Sequence, residues 1–113
     1  MTDCLFCRIA SGEIPTTFVA QNDRAVAFDD IHPAAPTHVL VIPRAHCADV
    51  AALGARLDDL AAVVQLAATV AEQTGVATTG WRLVFNTGSD AGQSVFHAHA
   101  HVVGGRRLSP NAG

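Results

Sequence analysis

The chain has 113 residues, half of them apolar, and a net charge of −3. Such a chain is long enough for one domain with its own core, and its apolar content excludes intrinsic disorder. All seven basic residues are arginines and only Arg106-Arg107 are adjacent. That is no nucleic-acid footprint, which needs a clustered basic surface.

Met1-Thr2-Asp3-Cys4 lacks the basic start and apolar stretch of a signal peptide. Cys4–Ala10 reads as a short helix stopped by Ser11-Gly12 and Pro15. Thr17–Gln21 and Ala25–Asp29 are predicted strands, joined by a hairpin-like turn at Asn22-Asp23. Ile31–Thr37 carries Pro33 and Pro36 and is loop. His38–Ile42 is β-branched and apolar, a strand ended by Pro43. Asp49 is placed to cap a helical turn through Leu53.

Arg56–Thr74 is the long predicted helix. Leu57, Leu60, Val64, Ala68 and Ala71 form a stripe at helical spacing, read as core or interface, and Gly75 is a C-terminal stop. Its most apolar window, from Leu60 to Ala71, is interrupted by Gln65 and Thr69 and is too short to cross a bilayer. No membrane role is expected. Trp81–Asn86 is another strand, followed by the turn-rich loop Thr87–Gly92 and then a histidine strand. Leu108–Gly113 reads as a tail of a single domain spanning residues 1–113. The order of elements predicts an α+β fold: a mostly antiparallel sheet of about five strands, a long crossover helix on one face and a short N-terminal helix. The histidine side of the last strand would be the open face.

The run His97-Ala98-His99-Ala100-His101-Val102-Val103 says most about function. On a strand the three imidazoles share one face, roughly 7 Å apart, while Ala98, Ala100 and Val102 face the core. Histidine near neutral pH serves as nucleophile, acid/base or metal ligand. The preceding Gly88-Ser89-Asp90-Ala91-Gly92-Gln93-Ser94 offers backbone N–H groups where an anion can approach closely. An anion held beside aligned imidazoles points to histidine attack on phosphorus, through a covalent phospho-histidine type of intermediate. Free imidazole protonates near pH 6.5, so activity is expected to weaken below about that pH. Separately, Cys4-x-x-Cys7 has the spacing of two zinc ligands, but alone it is half a site and equally reads as two structural thiols. Three cysteines in a chain expected to be cytoplasmic are thiols or ligands rather than disulfides.

Four blocks carry a resemblance that spans nearly the whole chain. They are Cys4-Leu5-Phe6-Cys7 to Gly12-Glu13-Ile14-Pro15; Phe28-Asp29-Asp30-Ile31; Ala35-Pro36-Thr37-His38-Val39-Leu40-Val41-Ile42-Pro43; and Asn86 to Val95 running into the histidines. The chain resembles the histidine triad (HIT) proteins, in particular the Hint-type nucleotide-binding hydrolases.

The resemblance implies an enzyme that cleaves a P–N or P–O bond at the α-phosphate of a purine nucleotide and releases a nucleoside monophosphate. It implies that His99 is the nucleophile, with its other ring nitrogen donating to a backbone carbonyl. His101 contacts the phosphate, Ser94 assists the leaving group, and His38 supports the cluster from a neighbouring strand. Nucleotide contacts are implied for Asn86, Gly92, Gln93, Ser94 and Val95. Asp30 accepts from the ribose hydroxyls, beside Ile31. Phe6, Ile9, Ile14, Phe28 and Leu40 align with the purine pocket, with core packing an equal reading for Phe28 and Leu40. His46 and His97 complete a structural zinc set with Cys4 and Cys7, and the chemistry itself needs no cofactor. Cys47 is a spare buried thiol, and His32 has no assigned role. A homodimer with the long helix at its interface is implied.

One departure and three rivals follow. Arg106-Arg107-Leu108-Ser109-Pro110 lacks the tail aromatic of related proteins, which bears on the leaving group. Ser94, where the dinucleoside polyphosphate hydrolases tend to have threonine, favours the phosphoramidase branch over that alternative. His101 argues against the nucleotidyltransferase branch, which has glutamine there. A nucleotide-binding regulatory or interaction protein is the alternative outside enzymes.

Overall fold

The computed structural model describes residues 3–110. Residues 111–113 of the tail, and Met1 and Thr2 of the start, lie outside the described residues. In chain order the elements are α1 (Leu5–Ala10), β1 (Ala20–Gln21), β2 (Ala25–Asp29), β3 (Thr37–Pro43), α2 (Val50–Leu53), α3 (Leu57–Thr74), α4 (Val76–Thr79), β4 (Trp81–Phe85), a 3-10 turn (Ser89–Ala91) and β5 (Ala100–Gly104). The strands form one antiparallel sheet in the order β1-β2-β3-β5-β4.

Local chemistry sets most boundaries. Asp49 caps α2, its carboxylate accepting from the Ala52 N–H. Gly75 ends α3 in the left-handed conformation, at φ 87°, which side chains with a Cβ disfavour. The predicted first strand is shorter than expected. Only Ala20–Gln21 pairs with β2, because Thr17 and Phe18 lie beyond the ladder and only Val19 adds a further bond, to Ala27. The turn closes as expected, with the Asn22 side chain accepting from the Arg24 and Ala25 N–H groups.

The α3 stripe requires correction. Its buried face is Asp59, Ala62, Val63, Leu66, Ala67, Val70 and Ala71; of the expected stripe Ala71 is buried and Leu60 packs on the core, whereas Leu57, Val64 and Ala68 are exposed. Leu57 is 73% exposed and Val64 42% exposed. The helix carries two apolar lines, and periodicity alone does not say which one the sheet receives. The buried line packs on Ala25, Ala27, Val39, Val41, Ala98, Ala100 and Val102, the helix side of the sheet. On the opposite face a smaller cluster gathers Phe6, Ile9, Val26, Phe28, Leu40 and Ile42 under α1. The functional face is thus half covered by α1, not fully open.

The histidine run is also not one strand. β5 begins at Ala100, so only His101 is on the ladder, while His97 and His99 lie in the irregular approach to it. The Ala98 N–H donates to the Cys47 carbonyl instead of to a sheet neighbour. Side-chain alternation nonetheless persists through the approach. Ala98, Ala100 and Val102 enter the core while the imidazoles stay on the other side.

Candidate active site

A cleft of about 460 Å³ opens on the α1 side of the sheet. His99, His101, Ser94, Gly92, Val95 and Asn86 line it. So do Phe6, Ile9, Phe28, Leu40, Asp30 and Ile31. Cross-strand register explains part of this. Phe28 stands opposite Leu40 and Leu40 opposite His101, so three strands present one row to the cleft. Phe28 and Leu40 are both cleft wall and core, since each also belongs to the buried cluster.

Some expected residues stand elsewhere. Ile14 packs against the cluster and lines a neighbouring hollow, not the cleft. The Gln93 side chain is buried and turned inward: it accepts from the Gly88 N–H and donates to the Ala48 and Val95 carbonyls. It shapes the glycine loop, and Gly92 within that loop sits at φ 87°. Leu5, Thr16, Asp29 and His32 line the cleft without having been expected there. Their signal was adjacency: Asp29 and His32 flank Asp30-Ile31, and Leu5 precedes Phe6.

The hydrogen bonds fix the tautomers. His99 Nδ1 lies 2.8 Å from the His97 carbonyl oxygen, which can only accept, so Nδ1 carries the proton. In the neutral ring Nε2 is then an unprotonated lone pair, the form a nucleophile needs. His38 sits behind His101. Its Nδ1 accepts from the Ala34 N–H at 3.0 Å, so its proton is on Nε2, which donates to His101 Nδ1 at 2.9 Å. His101 therefore carries its own proton on Nε2, as a donor. One backbone N–H thus sets the polarity of a two-imidazole chain. Asp30 Oδ1 accepts from the His32 N–H at 2.8 Å, and Oδ2 lies 3.4 Å from His38 Nε2. A carboxylate has about four acceptor positions, so capacity remains for a ligand hydroxyl.

Burial, together with the neighbouring imidazoles His99 and His38, lowers the His101 pKa to about 4. The unfolded chain protonates this residue near pH 6.5, whereas the folded state waits until about pH 4. Between those values the unfolded state binds more protons, so stability falls as pH drops through that window. Urea midpoints measured at pH 7, 5.5 and 4.5 are expected to decline, and to decline less steeply in His101→Gln. Parallel declines in both proteins would contradict this assignment.

A second cluster lies at the foot of α1. The ligating atoms of Cys4, Cys7, His46 and His97 all fall within 4.8 Å of one another and form a group that could hold a metal ion. Cys4 Sγ is 3.3 Å from His97 Nδ1, Cys7 Sγ is 3.3 Å from His46 Nδ1, and the two Nδ1 atoms are 3.2 Å apart. His97 is fully buried, and its Nε2–H donates to the Pro43 carbonyl at 2.8 Å, which turns the Nδ1 lone pair toward the sulfurs. The two sites touch. Phe6 packs edge-on against both rings, with centroids 6.1 Å from His97 and 5.1 Å from His99. Cys47 is buried and belongs to the main core, and that burial raises its thiol pKa. No helix among the described residues is long and apolar enough to cross a membrane.

Comparison with known proteins agrees with this geometry. A family model for the HIT domain matches residues 11–108. The purine nucleoside phosphoramidase of Escherichia coli (strain K12) is 42% identical over 109 residues, covering 96% of this chain and 92% of that protein. A HIT family hydrolase from Clostridium thermocellum superposes with a TM-score of 0.92 at 41% identity, over 99% of this chain and 98% of that one. A HIT family hydrolase from Legionella pneumophila gives 0.89 at 43% identity, over 98% and 100%.

Proposed function

The chain belongs to the HIT domain family, and from its cleft we propose that it is a purine nucleoside phosphoramidase working through a nucleotidyl-histidine intermediate. The observation that carries this reading is the His99 ring: Nδ1–H tied to the His97 carbonyl, and Nε2 left as a lone pair beside a cleft of nucleotide size. The base lies between Phe6, Ile9, Phe28 and Leu40, and the ribose hydroxyls donate to Asp30. In the first step the His99 Nε2 lone pair bonds to phosphorus. The P–N bond pair moves to the amine nitrogen, which takes a proton through the Ser94 hydroxyl. The His101 Nε2–H and the N–H groups of the Gly92 loop stabilise the charge that gathers on the phosphoryl oxygens. In the second step water attacks phosphorus and the P–N(His99) bond breaks. The proton released from that water balances the one consumed, and nucleoside monophosphate departs.

Incubation with adenosine 5′-phosphoramidate is expected to release AMP faster than diadenosine polyphosphates are split. Turnover of polyphosphates alone would move the chain to the dinucleoside polyphosphate hydrolase reading.

Zinc is the metal that suits the cluster. Two thiolates and two imidazoles match its preference, and tetrahedral bond lengths imply S···N edges of about 3.6 Å and N···N edges of about 3.3 Å. The 3.2–3.4 Å spacings fit such a set. A four-ligand set leaves no open position, so bound zinc would supply a cross-link between α1, the segment after β3 and the approach to β5. Two thiolates held for a metal also suit a reducing, cytoplasmic location.

The second apolar line of α3 suits a homodimer. Leu57, Ala61, Val64 and Ala68 repeat at helical spacing and are exposed. Val64→Asp is expected to shift the sedimenting species from dimer to monomer. A wild-type protein that sediments as monomer at micromolar concentration would refute the dimer.

A further inference from the structure

The cysteine pair brackets the residue that joins the two sites. Cys4 is the N-cap of α1, Cys7 lies in its first turn, and Phe6 stands between them. Phe6 is buried, lines the nucleotide cleft and packs edge-on against His97, His99 and Phe28. With six residues α1 is too short to hold itself as a helix, so its start is fixed by what its side chains grip. At that end the grip is sulfur. Cys4 Sγ accepts from the Cys7 N–H at 3.3 Å and faces His97 Nδ1, while Cys7 Sγ faces the Nδ1 atoms of His46 and His97.

The two sulfurs have a second possible partner, each other. None of the three cysteines is in a disulfide. The Sγ atoms of Cys4 and Cys7 lie within 4.8 Å of one another. Residues three apart on a helix have Cβ atoms about 5–6 Å apart, and a disulfide needs roughly 3.5–4.5 Å, so a small shift of the N-cap residue closes the pair. Both cysteines are half-buried and within reach of a small oxidant, whereas Cys47 is shielded in the main core.

We propose that Cys4 and Cys7 are a site of reversible oxidation by peroxide, whose disulfide loosens α1 and weakens the nucleotide cleft. The inference goes beyond the phosphoramidase reading and does not depend on which bond the cleft cleaves. One thiolate attacks a peroxide oxygen, the O–O bond breaks, and a sulfenic acid and hydroxide result. The second thiolate attacks that sulfur, the S–O bond breaks, and a second hydroxide leaves. Two electrons pass from the sulfurs to the peroxide, and the two hydroxides take protons from solvent and become water. A disulfide sulfur has no thiolate charge, so any metal held by the cluster is released. His97 Nδ1, fully buried, loses both sulfurs, and the carbonyl of the same residue holds the His99 Nδ1–H. Oxidation thus reaches the cleft through Phe6 and through the His97 backbone. Small thiols reverse it by exchange.

The test adds hydrogen peroxide to protein purified without chelator. The intact mass is expected to fall by two hydrogens and to recover with dithiothreitol, and peptide mapping should place the bond between Cys4 and Cys7. A chromogenic zinc chelator should register metal release in step with the mass change. AMP affinity, measured by calorimetry, is expected to weaken about tenfold and to recover with dithiothreitol, the scale of one partly displaced aromatic contact. Cys47→Ser should respond as wild type does, and in Cys4→Ser, Cys7→Ser peroxide should leave AMP affinity unchanged. Oxygen addition without loss of hydrogen, a bond to Cys47, or no reaction overturns the oxidation site. A Cys4–Cys7 disulfide with unchanged AMP affinity, or oxidised protein that no longer melts cooperatively, overturns the link to the cleft. Wild type that holds no metal removes the zinc reading alone, since mass and affinity still decide the proposal. Wild type that cleaves no phosphoramidate yet binds AMP in a peroxide-sensitive way removes the phosphoramidase reading alone.

Discussion

His99→Ala is expected to lower kcat by at least about 10⁴-fold, with no comparable loss of nucleotide binding. A nucleophile acts in the transition state and contributes little to ground-state affinity, so its removal falls on kcat rather than KM. The fold should survive the change. His99 is half-buried and lies in the irregular approach to β5, so no ladder hydrogen bond is lost. The bond it gives up is Nδ1–H to the His97 carbonyl. Rapid quenching of wild type with radiolabelled substrate should trap label on protein in an acid-labile, base-stable form. His99→Ala should trap none. Turnover within tenfold of wild type by the alanine variant would eliminate covalent attack by this residue.

Double replacement Cys4→Ser, Cys7→Ser is expected to destabilise the protein by about 3 kcal/mol and lower its melting temperature by about 10 °C. Two losses combine; the cap of α1 is not one of them, since a serine hydroxyl at position 4 accepts from the N–H of residue 7 as the Cys4 Sγ does. A metal held by the four groups would no longer join three segments. His97, fully buried, loses the two sulfurs that its Nδ1 faced. Burial, the main cause, lowers the His97 pKa, so it cannot readily compensate by charging. Elemental analysis of protein purified without chelator should find about one zinc per wild-type chain and less than a tenth of that in the variant. KM for the nucleotide should rise as well, because Phe6 and Ile9 stand on the helix those cysteines anchor. Equal melting temperatures with and without chelator would show that the thiols stand alone.

Much of the site was legible because the relevant chemistry is local. Period-two alternation put Ala98, Ala100 and Val102 on one side and three imidazoles on the other, and this held even where the ladder did not. Asp49 and Gly75 announced helix ends, since capping depends on one residue and its nearest backbone groups. The choice between the two apolar lines of α3 was not legible. Leu57–Val64–Ala68 and Val63–Leu66–Val70 are both helical stripes, and only the sheet beneath distinguishes them. Gln93 shows the same limit. The resemblance implies a ligand contact there, but the carbonyls of Ala48 and Val95 take the side-chain amide.

The sequence by itself determined the chemical inventory: histidines in alternation, a glycine loop ahead of them, a spaced cysteine pair, and enough apolar residues for a sheet and one long helix. Only the tertiary structure decided how that inventory is divided. It sent the His97 ring toward Cys4, Cys7 and His46 while its carbonyl orients His99. It placed His38 behind His101, 63 positions away in sequence, and so fixed which nitrogen of His101 keeps its proton. The physical reason is that residue type sets what a group can donate or accept. Which nitrogen does so depends on a partner that only the folded chain brings within about 3 Å.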